Sequence, residues 1–122
     1  MIIPITHTSK NFYAHLGPIF GSRKVEKMTG DRFYDDDDKI WYLYYDKGVP
    51  DTFVGILNNV IKNVWTEKPE HLILVFKDIN KKMTIKESIV PSLFNDIYIK
   101  SGYELVDHDY KNFLKIRSGS SD

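Results

Sequence analysis

Residues 39–65 constrain the fold more than any other part of the chain. "KIWYLYYDKG" is a run of β-branched and aromatic residues that ends in Asp-Lys-Gly turn chemistry. After the turn at "KGVPD", the stretch "TFVGILNNVIKNVW" alternates well enough for a second, long strand, with Asn58 and Asn59 marking a bulge or twist in its middle. Two such runs around a tight turn predict a β-hairpin, and with it a sheet whose two faces must be covered. Trp41, Tyr42, Tyr44 and Tyr45 fall on both faces of the first strand. One set meets a core; the other needs a helix, a partner or a ligand.

The flanking segments supply candidates for that cover. "MIIPITH" reads as a short strand, and Pro4, which has no N–H to donate, places it at a sheet edge. Residues 9–30 turn helical. Ser9 is a candidate cap, Phe12, His15 and Leu16 share a face, and Gly17-Pro18 breaks the pattern. Ser22 caps a second helix with Val25 and Met28 on one face and Gly30 as its stop. "HLILVFKD", apolar almost throughout, predicts a strand buried on both faces. Thr84 and Glu87 stand in capping-box spacing for a helical piece that ends near Val90. A new helix then starts with Pro91 in its first turn, carries the stripe Leu93, Phe94, Ile97 and Tyr98, and closes at Gly102. "YELVDHD" and "NFLKIR" form a terminal hairpin. The expected fold class is mixed α+β, a mostly antiparallel sheet flanked by helices. One domain is expected over residues 1–117, with a frayed tail over 118–122.

Composition excludes several functions. The chain has 122 residues, enough for one core, and its 17 basic and 17 acidic residues cancel. No general attraction to nucleic acid or membrane surface follows. No apolar run approaches the length of a membrane span, which is about 18 residues. The absence of cysteine removes disulfides and thiolate chemistry and fits a reducing compartment, with the cytoplasm as the default. Alanine occurs once while Ile, Lys, Asn, Asp and Tyr abound, a bias that an AT-rich coding genome, such as a viral one, produces.

Metal chemistry is not expected. His7, His15, His71 and His108 are scattered over different elements without ligand spacing, and His108 between Asp107 and Asp109 reads as a solvent-facing turn. The run Asp35 to Asp38 places four carboxylates side by side, where a calcium loop spaces its ligands and needs a glycine. It reads as a solvated boundary, with the strand starting near Lys39.

Two stretches, "FGSRKVEKMTGDRFYDDDDKIWYLYYDKGVPDTFVGIL" and "IYIKSGYELVDHDYKNFLKI", together with the order of elements, resemble the GCN5-related N-acetyltransferase superfamily. The resemblance implies an acyl-CoA N-acyltransferase-like fold, with acetyl-CoA as cofactor and an amine as acceptor. It makes Tyr98, four residues before Gly102, the candidate acid that protonates the leaving thiolate. Against that role stands a core role for Tyr98 in its apolar stripe. The family's glycine loop, which cradles the pyrophosphate after its fourth strand, has no counterpart here. Lys81, Lys82 and a helix start capped by Thr84 are the substitute anion site, weighed against solvated lysines in a turn. The missing loop marks an abbreviated or degenerate member. The competing expectation is a non-enzymatic module with no cofactor that binds a protein partner as an inhibitor or adaptor, a second copy of the chain being a further possibility.

Overall fold

The computed structural model describes residues 1–31, 33, 38–110 and 112–119, with the backbone alone at 108–110. The acidic run therefore lies largely outside the described residues, as do the side chains of His108 and Asp109. Among the described residues, seven strands and four helices follow in the order β1 (Ile2–Thr6), α1 (Phe12–Leu16), α2 (Arg23–Thr29), β2 (Ile40–Asp46), β3 (Val49–Leu57), β4 (Val60–Thr66), α3 (Pro69–Lys82), β5 (Ser88–Pro91), α4 (Asn95–Lys100), β6 (Tyr103–Tyr110) and β7 (Phe113–Ser118). A 3-10 turn, Ser92–Phe94, joins β5 to α4. The strands form two sheets, β1-β2-β3-β4 and β5-β7-β6, and every ladder is antiparallel. The α+β class and the flanking helices are as the sequence predicts.

Pro4 lies on β1, which is an edge strand. Ser22 caps α2 by accepting the Val25 amide, and Gly30 ends it at φ 74. Val25 shares the buried face of α2 with Thr29, whereas Met28 points out. Asn11 rather than Ser9 is the cap residue of α1.

Three expectations need correction. The run 52–65 is two strands. Leu57 pairs with Val60, and Asn58 and Asn59 between them take φ 51 and 63, the left-handed pair of a two-residue hairpin turn that asparagine tolerates. The bulge lies later, where Gly55 pairs Asn63 and Ile56 pairs Ile61, leaving Lys62 extra. "HLILVFKD" is helix: Pro69 sits in the first turn of α3, and Leu72, Val75, Phe76 and Ile79 make its buried face while Leu74 is exposed. Residues 88–91 are strand, so α4 starts at Asn95 and Leu93 leaves the expected stripe for solvent.

These corrections place a helix, α3, and a strand, β5, between β4 and α4. β4 and β5 belong to different sheets yet run side by side in the same direction. Asn59 accepts the Lys86 amide at 2.8 Å and the Ile61 amide donates to Ser88 Oγ at 2.9 Å near their starts. Trp65 and Phe94 meet edge to face, 6.0 Å apart, near their ends. Helix α3 is the crossover between them.

Both faces of β2 are covered within the chain. Trp41 packs against Phe20 and Phe33 from the amino-terminal arm, at 5.6 and 5.9 Å between ring centres. On the other face Tyr44 stacks on His71 of α3 at 3.9 Å, and Lys82 lies over the Tyr42 ring at 5.2 Å. Ser118 ends β7 by hydrogen bonding to Ile85 through both its amide and its hydroxyl.

Candidate functional site

The turn from β4 into α3 is where the resemblance implies a cradle for a cofactor's pyrophosphate. Here it reads Thr66-Glu67-Lys68-Pro69-Glu70. An anion cradle needs free amides. The Glu67 amide donates to the Asp51 carbonyl at 2.8 Å, and the Lys68 amide to Thr66 Oγ1 at 3.0 Å. Pro69 has none, and the His71 and Leu72 amides both donate to the Lys68 carbonyl.

The side chains around this turn form a connected polar cluster. Asp51, buried in β3, takes His71 Nδ1 at 2.7 Å on Oδ2 and the Thr52 hydroxyl at 2.7 Å on Oδ1. Thr52 in turn shares a 2.8 Å hydrogen bond with Thr66. Asp46, at the end of β2, pairs with Lys68 Nζ at 2.6 Å. That hydrogen bond holds the Asp46 carboxyl below its ordinary range and raises the Lys68 ammonium. Glu67 receives Lys24 at 3.2 Å and the Trp65 indole N–H at 3.3 Å. Asp46, Asp51, Glu67 and Glu70 thus stand against Lys24 and Lys68 at a helix start. Carboxylates of the chain itself take the positive end of the helix dipole.

Asp46, Asp51 and His71 offer one donor atom each within 4.8 Å of one another, a set that could hold a metal ion. The Lys68 ammonium already serves as the cation at Asp46, and His71 is engaged with Asp51. The cluster as it stands is a tie between β2, β3, β4 and α3. No ligand spacing is visible in the sequence because twenty positions separate Asp51 from His71; only the fold brings them together.

A second buried polar group lies on the opposite face of the sheet. Lys39, 2 % exposed, donates to Asn63 Oδ1 at 2.8 Å and lies 5.1 Å from the Trp41 ring centre. Asn63 donates onward to Asp31 Oδ2 at 2.9 Å. Gly55 makes room: a Cβ there would stand 3.0 to 3.1 Å from Trp41, Asn63 and Lys39.

The residues singled out from the sequence fall elsewhere. Tyr98 is fully buried against Phe76, its hydroxyl donating to the Pro91 carbonyl at 2.9 Å, and burial pushes its phenol far above the usual value. Its hydroxyl faces protein and not a cleft. Lys81 and Lys82 occupy the last turn of α3, about 20 Å along the helix from its amino-terminal end. That is the negative end of the dipole, the reverse of an anion site. Lys82 pairs with Asp78 at 2.9 Å, which raises its ammonium. Thr84 caps no helix; it lies in the irregular segment between α3 and β5, and its carbonyl accepts Asn59 Nδ2 at 3.2 Å. The structure does not gather these four residues into one site.

No helix among the described residues is long and apolar enough to cross a membrane. No known family profile matches the sequence, and no curated protein does. Among solved structures, an acyl-CoA N-acyltransferase from Pseudomonas aeruginosa superposes with a TM-score of 0.56 at 10 % identity, covering 98 % of this chain and 99 % of the other. At that identity the likeness speaks for architecture alone. The chain has the acyl-CoA N-acyltransferase fold.

Proposed function

We propose that this chain is a non-enzymatic member of the acyl-CoA N-acyltransferase fold, one domain over residues 1–117 that binds a protein partner. What supports this reading is the β4–α3 turn, whose Glu67, Lys68, His71 and Leu72 amides are spent on Asp51, Thr66 and Lys68 and whose surroundings set four carboxylates against two ammonium groups. A pyrophosphate placed there would find few donors and meet like charge. Trp65 and Phe94 add to it, since they fill the space between β4 and the turn after β5. Leu93 and Ile99, each about half exposed on the 3-10 turn and α4, offer apolar contact to a partner.

The second reading is transfer of an acetyl group from acetyl-CoA to an amine, with Tyr98 as the acid and Lys81, Lys82 and Thr84 near the cofactor's phosphates. The fold likeness over nearly the whole chain favours it. Titration of acetyl-CoA, followed by calorimetry and thermal melting, separates the two. A cofactor present at a hundred times its dissociation constant would stabilise the protein by about 2.7 kcal/mol. We expect no heat of binding and no shift at millimolar acetyl-CoA; a saturable shift would restore the enzyme reading.

A further inference from the structure

At the opposite edge of the first sheet from β4, residues of α1, β1, β2 and the β2–β3 turn line an open pocket of about 420 Å³: Met1, Ile3, His15, Tyr45, Lys47 and Gly48. Its size is that of a small-molecule pocket. Three strand spacings, about 14 Å, separate β1 from β4, so the cavity is distinct from the β4–α3 turn.

The chemistry of the lining is simple. Ile3 and Met1 give hydrocarbon, and the rings of His15 and Tyr45 stand edge to face, 5.5 Å apart. His15 Nδ1 is hydrogen bonded to the Tyr45 hydroxyl, which turns the other ring nitrogen, Nε2, away from that bond. Burial pushes the Tyr45 phenol up, so it stays neutral and contributes no negative charge. Lys47, exposed in the turn, makes no ion pair among the described residues, and its neighbour Asp46 pairs with Lys68. An open apolar pocket with two ammonium groups at its rim, Lys47 and the Met1 amine that donates to the Tyr45 carbonyl at 3.0 Å, complements a molecule with a hydrocarbon body and one anionic head.

We propose that this cavity is a binding site for a monocarboxylate with an apolar body, a medium-length alkyl chain or an aryl group, held with its carboxylate at Lys47 and its body against Ile3. The site stands apart from the function argued above and holds whether or not the chain binds acetyl-CoA.

Sodium octanoate and 3-phenylpropionate, titrated into the full chain by calorimetry and amide chemical-shift mapping, test it, with 1-octanol as the neutral match. We expect one saturable site, shifts centred on Ile3, Lys47 and Gly48, and octanoate binding about tenfold tighter than octanol at low salt, the weight of one charged hydrogen bond. Lys47→Asn suits the left-handed backbone there, φ 52, and should weaken octanoate toward the affinity of octanol without unfolding the chain. Ile3→Trp, which fills the chamber, should abolish both. Equal affinities for octanoate and octanol, shifts centred elsewhere, or no saturation by 10 mM, roughly the millimolar floor of specific binding, would each overturn the proposal. So would unchanged octanoate affinity in Lys47→Asn.

Discussion

The Tyr98 hydroxyl donates to the Pro91 carbonyl at 2.9 Å, inside the core and across the junction between β5 and α4. This bond ties the last residue of the strand to the helix that follows it. Tyr98→Phe keeps the ring and leaves a buried carbonyl without its donor. We expect a loss of about 1 to 2 kcal/mol in urea unfolding, with unchanged secondary structure. Unchanged stability accompanied by loss of an acetyl-transfer activity would return Tyr98 to the catalytic role.

The Asp46–Lys68 pair gives a pH signature. Asp46 titrates below its ordinary 3.8 and Lys68 above its ordinary 10.5, each chiefly through their shared hydrogen bond. A lowered carboxyl contributes stability above its unfolded value and loses it as pH falls through the folded one. A raised ammonium contributes below its unfolded value and loses it as pH rises through the folded one. The pair is therefore intact across neutral pH. In Lys68→Gln the Asp46 carboxyl should titrate higher when followed by NMR, and the salt sensitivity of its titration should fall. An unmoved titration would show that the pair does not form in solution.

Lys39 follows Asp35 to Asp38, so the sequence offers enteropeptidase its recognition site, and a mobile turn would be nicked there. The protease must take the lysine side chain into a pocket, yet Lys39 is buried and bound to Asn63. We expect the folded chain to resist cleavage under conditions that cut a peptide of the same sequence. Rapid nicking of the native protein would mean that Lys39 leaves its site readily.

The Asn58-Asn59 turn makes a backbone test. Asn58→Val places a β-branched residue at φ 51, a conformation that costs an ordinary residue about 1 to 2 kcal/mol. The melting point should drop accordingly, while Asn58→Gly should stay close to the parent. Equal melting of the two variants would argue against a left-handed turn.

The hairpin of β2 and β3, the edge position of Pro4, the Ser22 cap and Gly30 stop of α2, and the terminal hairpin were legible because each rests on a local signal. Other elements needed more than a local signal. "HLILVFKD" is too short an apolar run to separate a buried strand from a helix. Extending the window to Lys82 exposes the spacing of Leu72, Val75, Phe76 and Ile79, and Pro69 then reads as a helix start. The same misassignment moved Lys81, Lys82 and Thr84 from a helix end to an imagined helix start, and with them the expected anion site.

The sequence by itself determined the α+β class, the antiparallel hairpins and the absence of cysteine chemistry, because periodicity and turn residues act over a few positions. Only the tertiary structure decided which residues meet. The Asp51–His71, Lys39–Asn63 and His15–Tyr45 contacts each span twenty or more positions, and no local pattern encodes them. The amides after β4 are the sharpest case. The Lys68, His71 and Leu72 amides find local acceptors, but the Glu67 amide donates to the Asp51 carbonyl, sixteen positions away, which only the packed sheet brings within reach.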